Sequence, residues 1–122
     1  MKIQIKSNQI TIDAELYDTP TGEAVSAVLP ITGTVNRWGG EIYFSIPVAA
    51  ALELDARDVL VPGEIAFWPP GKALCIFFGT TPASRDNECR AASEVNVFGM
   101  VTGDPGPLWN IEDGSEIRIS AK

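Results

Sequence analysis

The sequence predicts an all-β fold of about eight strands with one or two short helices, a sandwich or a barrel. Three observations predict it. Apolar residues alternate with polar ones, or form short two-faced apolar runs, in segments of strand length. The 9 prolines and 11 glycines are scattered between those segments as turn signals rather than gathered in a linker. Strands this apolar need protected edges, and closure of the sheet supplies that protection.

The elements follow in order. "KIQIK" sets Ile3 and Ile5 on one face, and "ITIDAEL" sets Ile10, Ile12, Ala14 and Leu16 on one face, with Ser7-Asn8-Gln9 turning between them. Thr19 caps a short helix, Pro20 suits its first position, and Ala24, Val25, Val28 and Leu29 recur at helical spacing before Pro30 ends it. "ITGTVN" and "EIYFSIPV" read as strands around "RWGG". Residues 47–61 are ambiguous: "VAAALEL" reads as a possible helix, and "DARDV" as one helical turn capped by Asp55. "EIAFW" and "ALCIFFG" are strands, the second with Leu74, Ile76 and Phe78 on one face and Ala73, Cys75 and Phe77 on the other, so both faces are expected to be buried. Between them Pro70-Gly71 fits the centre of a type II turn, with Gly71 at positive φ. "TTPASRDNECRAAS" reads as a polar loop, "EVNVFGMVTG" as a strand, "DPGPLWNIEDG" as a turn or short helix, and "SEIRIS" as the last strand.

A chain of 122 residues fits one domain over 1–122, long enough to bury a core without disulfide or metal staples. With 16 acidic and 9 basic residues the net charge is −7, which disfavours nucleic acid and gives no attraction to anionic membranes. No apolar run is long enough for a transmembrane helix, and the N-terminal segment lacks the apolar centre of a signal peptide, so a cytoplasmic location is expected. Cys75 and Cys89 are then expected to be free thiols, Cys75 slow to react in its buried strand and Cys89 fast in its polar loop. The absence of histidine removes a Ser-His-Asp triad, a Cys-His pair and histidine-containing metal sites. No metal site, cofactor or catalytic residue is assigned.

Three blocks carry a resemblance. "NRWGGEIYFSIPV" (36–48), "WPPGKALCIFFGTTPAS" (68–84) and "AASEVNVFGMV" (91–101) resemble a family of small prokaryotic cyclophilin-like proteins. The resemblance implies a closed cyclophilin-like β-barrel of about eight mostly antiparallel strands with one or two short capping helices, and a family without an established isomerase activity. The F-H-R and Q-G-G-D-F strings of true cyclophilins are absent, there is no histidine for the proline pocket, and the only glutamines are Gln4 and Gln9. The expected function is therefore binding of a small molecule or peptide segment in a pocket. The rivals are a prolyl isomerase using Arg37 or Lys72 where cyclophilins use their arginine, and an assembly module or homo-oligomer.

The candidate ligand-binding residues are Asn36, Arg37, Trp38, Glu41, Tyr43, Trp68, Lys72, Phe77 and Asn96. Trp38 reads as an aromatic plug or a pocket wall, and Glu41 as a solvated strand-end acid or a ligand contact. Tyr43 shares the more polar face of its strand with Glu41 and Ser45. Asn96 needs a hydrogen-bond partner, structural or bound. Trp68 and Lys72 flank the proline turn, and a lysine there suggests an anionic ligand.

Overall fold

In a computed structural model describing residues 1–122, the chain forms ten strands and one α-helix, against the eight or so strands the sequence predicts. Strand β1 (Lys2–Ser7) and β2 (Ile10–Leu16) form a hairpin whose turn holds Asn8 at a φ of 54°. Helix α1 (Pro20–Ser26) begins as expected: the Thr19 hydroxyl accepts from the Gly22 N–H. It ends before Val28 and Leu29, which still pack against the core. Then come β3 (Ile31–Thr34), β4 (Asn36–Arg37), β5 (Glu41–Ser45), β6 (Arg57–Leu60), β7 (Glu64–Trp68), β8 (Ala73–Phe77), β9 (Cys89–Val101) and β10 (Glu116–Ala121).

All strand pairs are antiparallel. The main path runs β3-β10-β1-β2-β9-β7-β8-β5-β4, with β6 added to β9. The two ends of this path, β3 and β4, are consecutive in the chain with only Val35 between them. The sheet therefore curls until its ends meet at Val35, a buried residue. Closure differs from the expectation, because no hydrogen-bonded ladder joins β3 to β4.

The period of two in β8 divides the interior into two clusters. Leu74, Ile76 and Phe78 join Ile3, Ile5, Phe44, Phe67 and Phe98 in the larger one, inside the curl. Ala73, Cys75 and Phe77 join Leu60, Ala66, Cys89, Ala91 and Val95 in the smaller one, on the outside. β6 and the first half of β9 cover that outer face. Neither element matches the sequence reading. Residues 57–60 form a strand rather than a helical turn, because pairing with β9 outweighs a weak local preference. Cys89 to Ser93 belong to β9 rather than to a loop.

The cysteine expectation changes with them. Both thiols are free, and both are buried. Cys89 pairs with Leu60 across the β6–β9 ladder, which takes it out of solvent. Burial raises the Cys89 thiol, with a contribution from Glu64, and raises Cys75 well above the ordinary thiol value. Neither thiol should react rapidly with a disulfide reagent in the native protein, and both should react in denaturant. A fast-reacting native Cys89 would contradict the burial.

The proline turn is also built differently. Pro69–Gly71 form one 3-10 turn, and Lys72, not Gly71, takes the left-handed conformation, at a φ of 46°. Glycine is still required at 71, because a Cβ there would lie 2.8 Å from the Trp68 ring. The indole of Trp68 is seated on that glycine. The single cis peptide is Leu29–Pro30, outside this turn.

Candidate functional site

A cavity of about 120 Å³ opens on the outer face, lined by Trp38, Glu41, Tyr43, Trp68, Cys75, Ala91, Ala92 and Val95. Strand register creates it. Tyr43 lies opposite Cys75, Cys75 lies opposite Ala66, and Trp68 lies opposite Ala73. Small side chains thus occupy the middle of this face, and the large aromatic ones stand at its margin. The β6–β9 register moves from Arg57 opposite Val95 to Val59 opposite Arg90, so β9 bulges and carries Ala91 and Ala92 to the cavity.

The walls are held from behind. The Trp68 indole N–H donates to the Ser93 hydroxyl at 2.7 Å. The Trp38 N–H donates to the Glu41 carbonyl at 2.9 Å, in a turn with Gly39 at a φ of 63°. At Gly40 a Cβ would come within 2.4 Å of the Gly79 backbone, so β5 starts hard against the end of β8. This contact fixes the depth of Glu41.

Two glutamates are buried, and they differ. Glu64 accepts from the Arg57 guanidinium and from the Val61 N–H. Glu41 is 6% exposed, and its Oε1 is buried with no hydrogen-bond partner. Desolvation pushes its carboxyl up to about 7, the neighbouring Cys75 thiol acting in the opposite direction. No arginine or lysine lines the cavity.

This raised value has a definite sign in stability. Between the ordinary value of 4.5 and about 7 the folded chain keeps a proton that the unfolded chain has released. Glu41 therefore lowers stability as pH rises through that window. Glu41→Gln should remove this slope, so the variant should gain thermal stability over the parent on going from about pH 5 to about pH 8. Parallel melting curves for the two proteins would contradict it.

Of the candidate residues, Trp38, Glu41, Tyr43 and Trp68 come together at this cavity. The other five do not line it. Phe77 is fully buried in the outer cluster. Asn96 is buried and saturated by protein partners. Asn36 is exposed, its amide donating to the Tyr43 carbonyl. Arg37 donates to the carbonyls of Gly39, Trp109 and Ile111, and its guanidinium lies over the Phe78 and Trp109 rings. Lys72 is exposed at the turn. With Lys72 outside the cavity, the reason for expecting an anionic ligand disappears. The lining also includes Cys75, Ala91, Ala92 and Val95, which are not among the residues the sequence points to as ligand contacts. The every-second-residue pattern of Cys89, Ala91, Val95 and Val97 was the available signal, and it is strand-like.

The Cyclophilin-like family model matches residues 1–120, and the chain belongs to that family. The fold is similar to the solution structure of the hypothetical protein AF2241 from Archaeoglobus fulgidus, with a TM-score of 0.83 and 39% identity, covering 100% of this chain and 95% of that one. No curated protein matches the chain. No helix is long and apolar enough to cross a membrane.

Proposed function

We propose that this cyclophilin-like protein binds a small molecule, or a single side chain of a peptide, in the cavity between Trp38, Tyr43 and Trp68. One observation carries the reading: an aromatic-walled cavity with a buried carboxyl oxygen that no protein group satisfies. Buried polar groups in folded proteins are ordinarily paired, and an unpaired one lining a cavity marks a place where a ligand supplies the partner.

The same geometry argues against prolyl isomerisation. The reaction needs a donor aimed at the twisted amide. Arg37 has its guanidinium bound to three backbone carbonyls, and Lys72 is outside the cavity. A protease-coupled assay on proline peptides should show no acceleration over the uncatalysed rate. Isomerisation near the rate of a true cyclophilin, lost in Arg37→Ala, would replace this reading with an enzymatic one. Binding itself is tested by amide and indole NMR shifts during titration with small apolar and amphiphilic compounds. Shifts confined to Trp38, Tyr43, Trp68, Ala91 and Ala92 are expected. Saturable shifts centred elsewhere, with this set unmoved, would contradict the proposal.

A further inference from the structure

The chemistry of the ligand can be narrowed, and this step rests on the binding reading just given. The geometry points to a small alkylammonium group carrying at least one N–H, its N–H directed at the Glu41 carboxylate and its alkyl groups against the rings of Trp38, Tyr43 and Trp68. Four features converge on a cation.

Glu41 is the one carboxyl group in the lining, and its Oε1 lacks a donor. An ammonium N–H supplies both the hydrogen bond and the opposite charge, the stronger form of such a contact. Three of the lining residues, Trp38, Tyr43 and Trp68, are aromatic, and aromatic rings attract cations and accept alkyl groups. No basic side chain competes for the carboxylate, whereas the other buried glutamate already holds its arginine. Beside the cavity, and sharing Ala92 with it, runs an open groove that includes Asp58, Glu94, Pro69 and Pro70 and no basic residue. Arg90 pairs with Asp58, while Glu94 is exposed, so the approach to the cavity carries negative charge. An anionic ligand would meet this field and an unpaired carboxyl, and a neutral apolar one would leave Oε1 without a partner.

The titratable groups that face Glu41 across the cavity are Cys75 on β8 and Tyr43 on its own strand. β7 contributes Trp68, and β9 contributes Ala91, Ala92 and Val95, none of them titratable. Glu41 is the group that changes charge near neutrality, so taking up an ammonium ionises it and releases its proton to solvent. Affinity should therefore rise with pH and level off above about 7.

The test is an NMR titration of the whole protein with trimethylammonium, with tert-butanol as a neutral compound of similar shape, and with pivalate as the anion. A short neutral peptide bearing dimethyl-lysine runs in parallel. Trimethylammonium should shift the cavity resonances and bind about tenfold or more tightly at about pH 8 than at about pH 5. Glu41→Gln, folded by the same spectra, should weaken it about tenfold or more and abolish the pH dependence. Tighter binding of either the free amine or the peptide supports the inference and names the source of the ammonium group. Tert-butanol or pivalate binding in the cavity as tightly as the amine would overturn the cationic class while leaving the binding site intact. Binding of no probe in the cavity would overturn both readings.

Discussion

Replacing Phe78 by alanine should destabilise the protein by about 3–5 kcal/mol, measured by urea denaturation with an unchanged slope. Phe78 follows β8 directly, is 5% exposed, and belongs to the cluster inside the curl. Its ring meets Trp109 edge-on at 4.8 Å between centroids, and the Arg37 guanidinium lies 5.3 Å from its centre. Alanine would remove the transfer energy of the ring, leave a void in a packed interior, and strip Arg37 and Trp109 of an aromatic partner. The backbone around it is not free to collapse into the space, because the Phe78 N–H donates to the Gly40 carbonyl and Gly40 is in close contact with Gly79. A control lies close to hand in Leu54, which is fully exposed: Leu54→Ala should change stability by no more than about 0.5 kcal/mol. A loss below about 1 kcal/mol at Phe78 would mean that the ring is not packed as described. Phe78 faces away from the outer-face cavity, so the binding proposed there should survive the substitution in the folded fraction.

The two-sided burial of β8 was legible because strand periodicity is local: Leu74, Ile76 and Phe78 go one way and Ala73, Cys75 and Phe77 the other whatever surrounds them. The same period put Glu41 and Tyr43 on one face, and the order of β5, β8 and β7 then brought Trp68 to them. What could not be read locally is what covers that face. β6 has weak strand character of its own and exists because β9 extends to pair with it. The charged Arg90 makes the start of β9 look like loop, yet it pairs with Asp58 and Glu88 while Cys89 and Ala91 turn inward. Because the bulge of β9 was not visible, neither was the depth of Glu41, which changes it from a solvated strand-end acid into a buried, protonatable one. The turn failed for a related reason. Pro-Gly fits a type II turn by propensity, but the Trp68 ring needs the space above Gly71, and the left-handed residue moves to Lys72.

Asn96→Ala should destabilise the protein by about 2–4 kcal/mol, although it removes no apolar packing of consequence. Asn96 lies opposite Phe67, on the inner side of β9, and is 1% exposed. Its amide is a three-way clamp. The Nδ2 donates to the Thr21 hydroxyl at 3.1 Å and to the Ala51 carbonyl at 2.9 Å, while Oδ1 accepts from the Glu53 N–H at 2.8 Å. Glu53 closes the circuit, its carboxylate accepting from both the N–H and the hydroxyl of Thr21. One side chain thus ties the first turn of α1 and the irregular segment after β5 to the centre of the sheet. That segment has no ladder of its own between Ser45 and Arg57, so its backbone groups depend on such partners. Alanine would leave a buried carbonyl and N–H unpaired at once, and desolvated orphans are costlier than the net worth of the bonds that satisfied them. Asn96→Asp separates the two halves of the clamp: it can still accept from Glu53, but it offers no donor to Thr21 or Ala51 and brings a second carboxylate beside that of Glu53. It should therefore be destabilised as well, and increasingly so as the new carboxylate ionises. Hydrogen exchange supplies the local readout. In Asn96→Ala the Glu53 amide should lose protection by more than the global loss of stability explains, because its acceptor has gone while the sheet amides keep theirs. If Asn96→Ala were within about 0.5 kcal/mol of the parent and the Glu53 amide stayed protected, the clamp would not be what holds this segment.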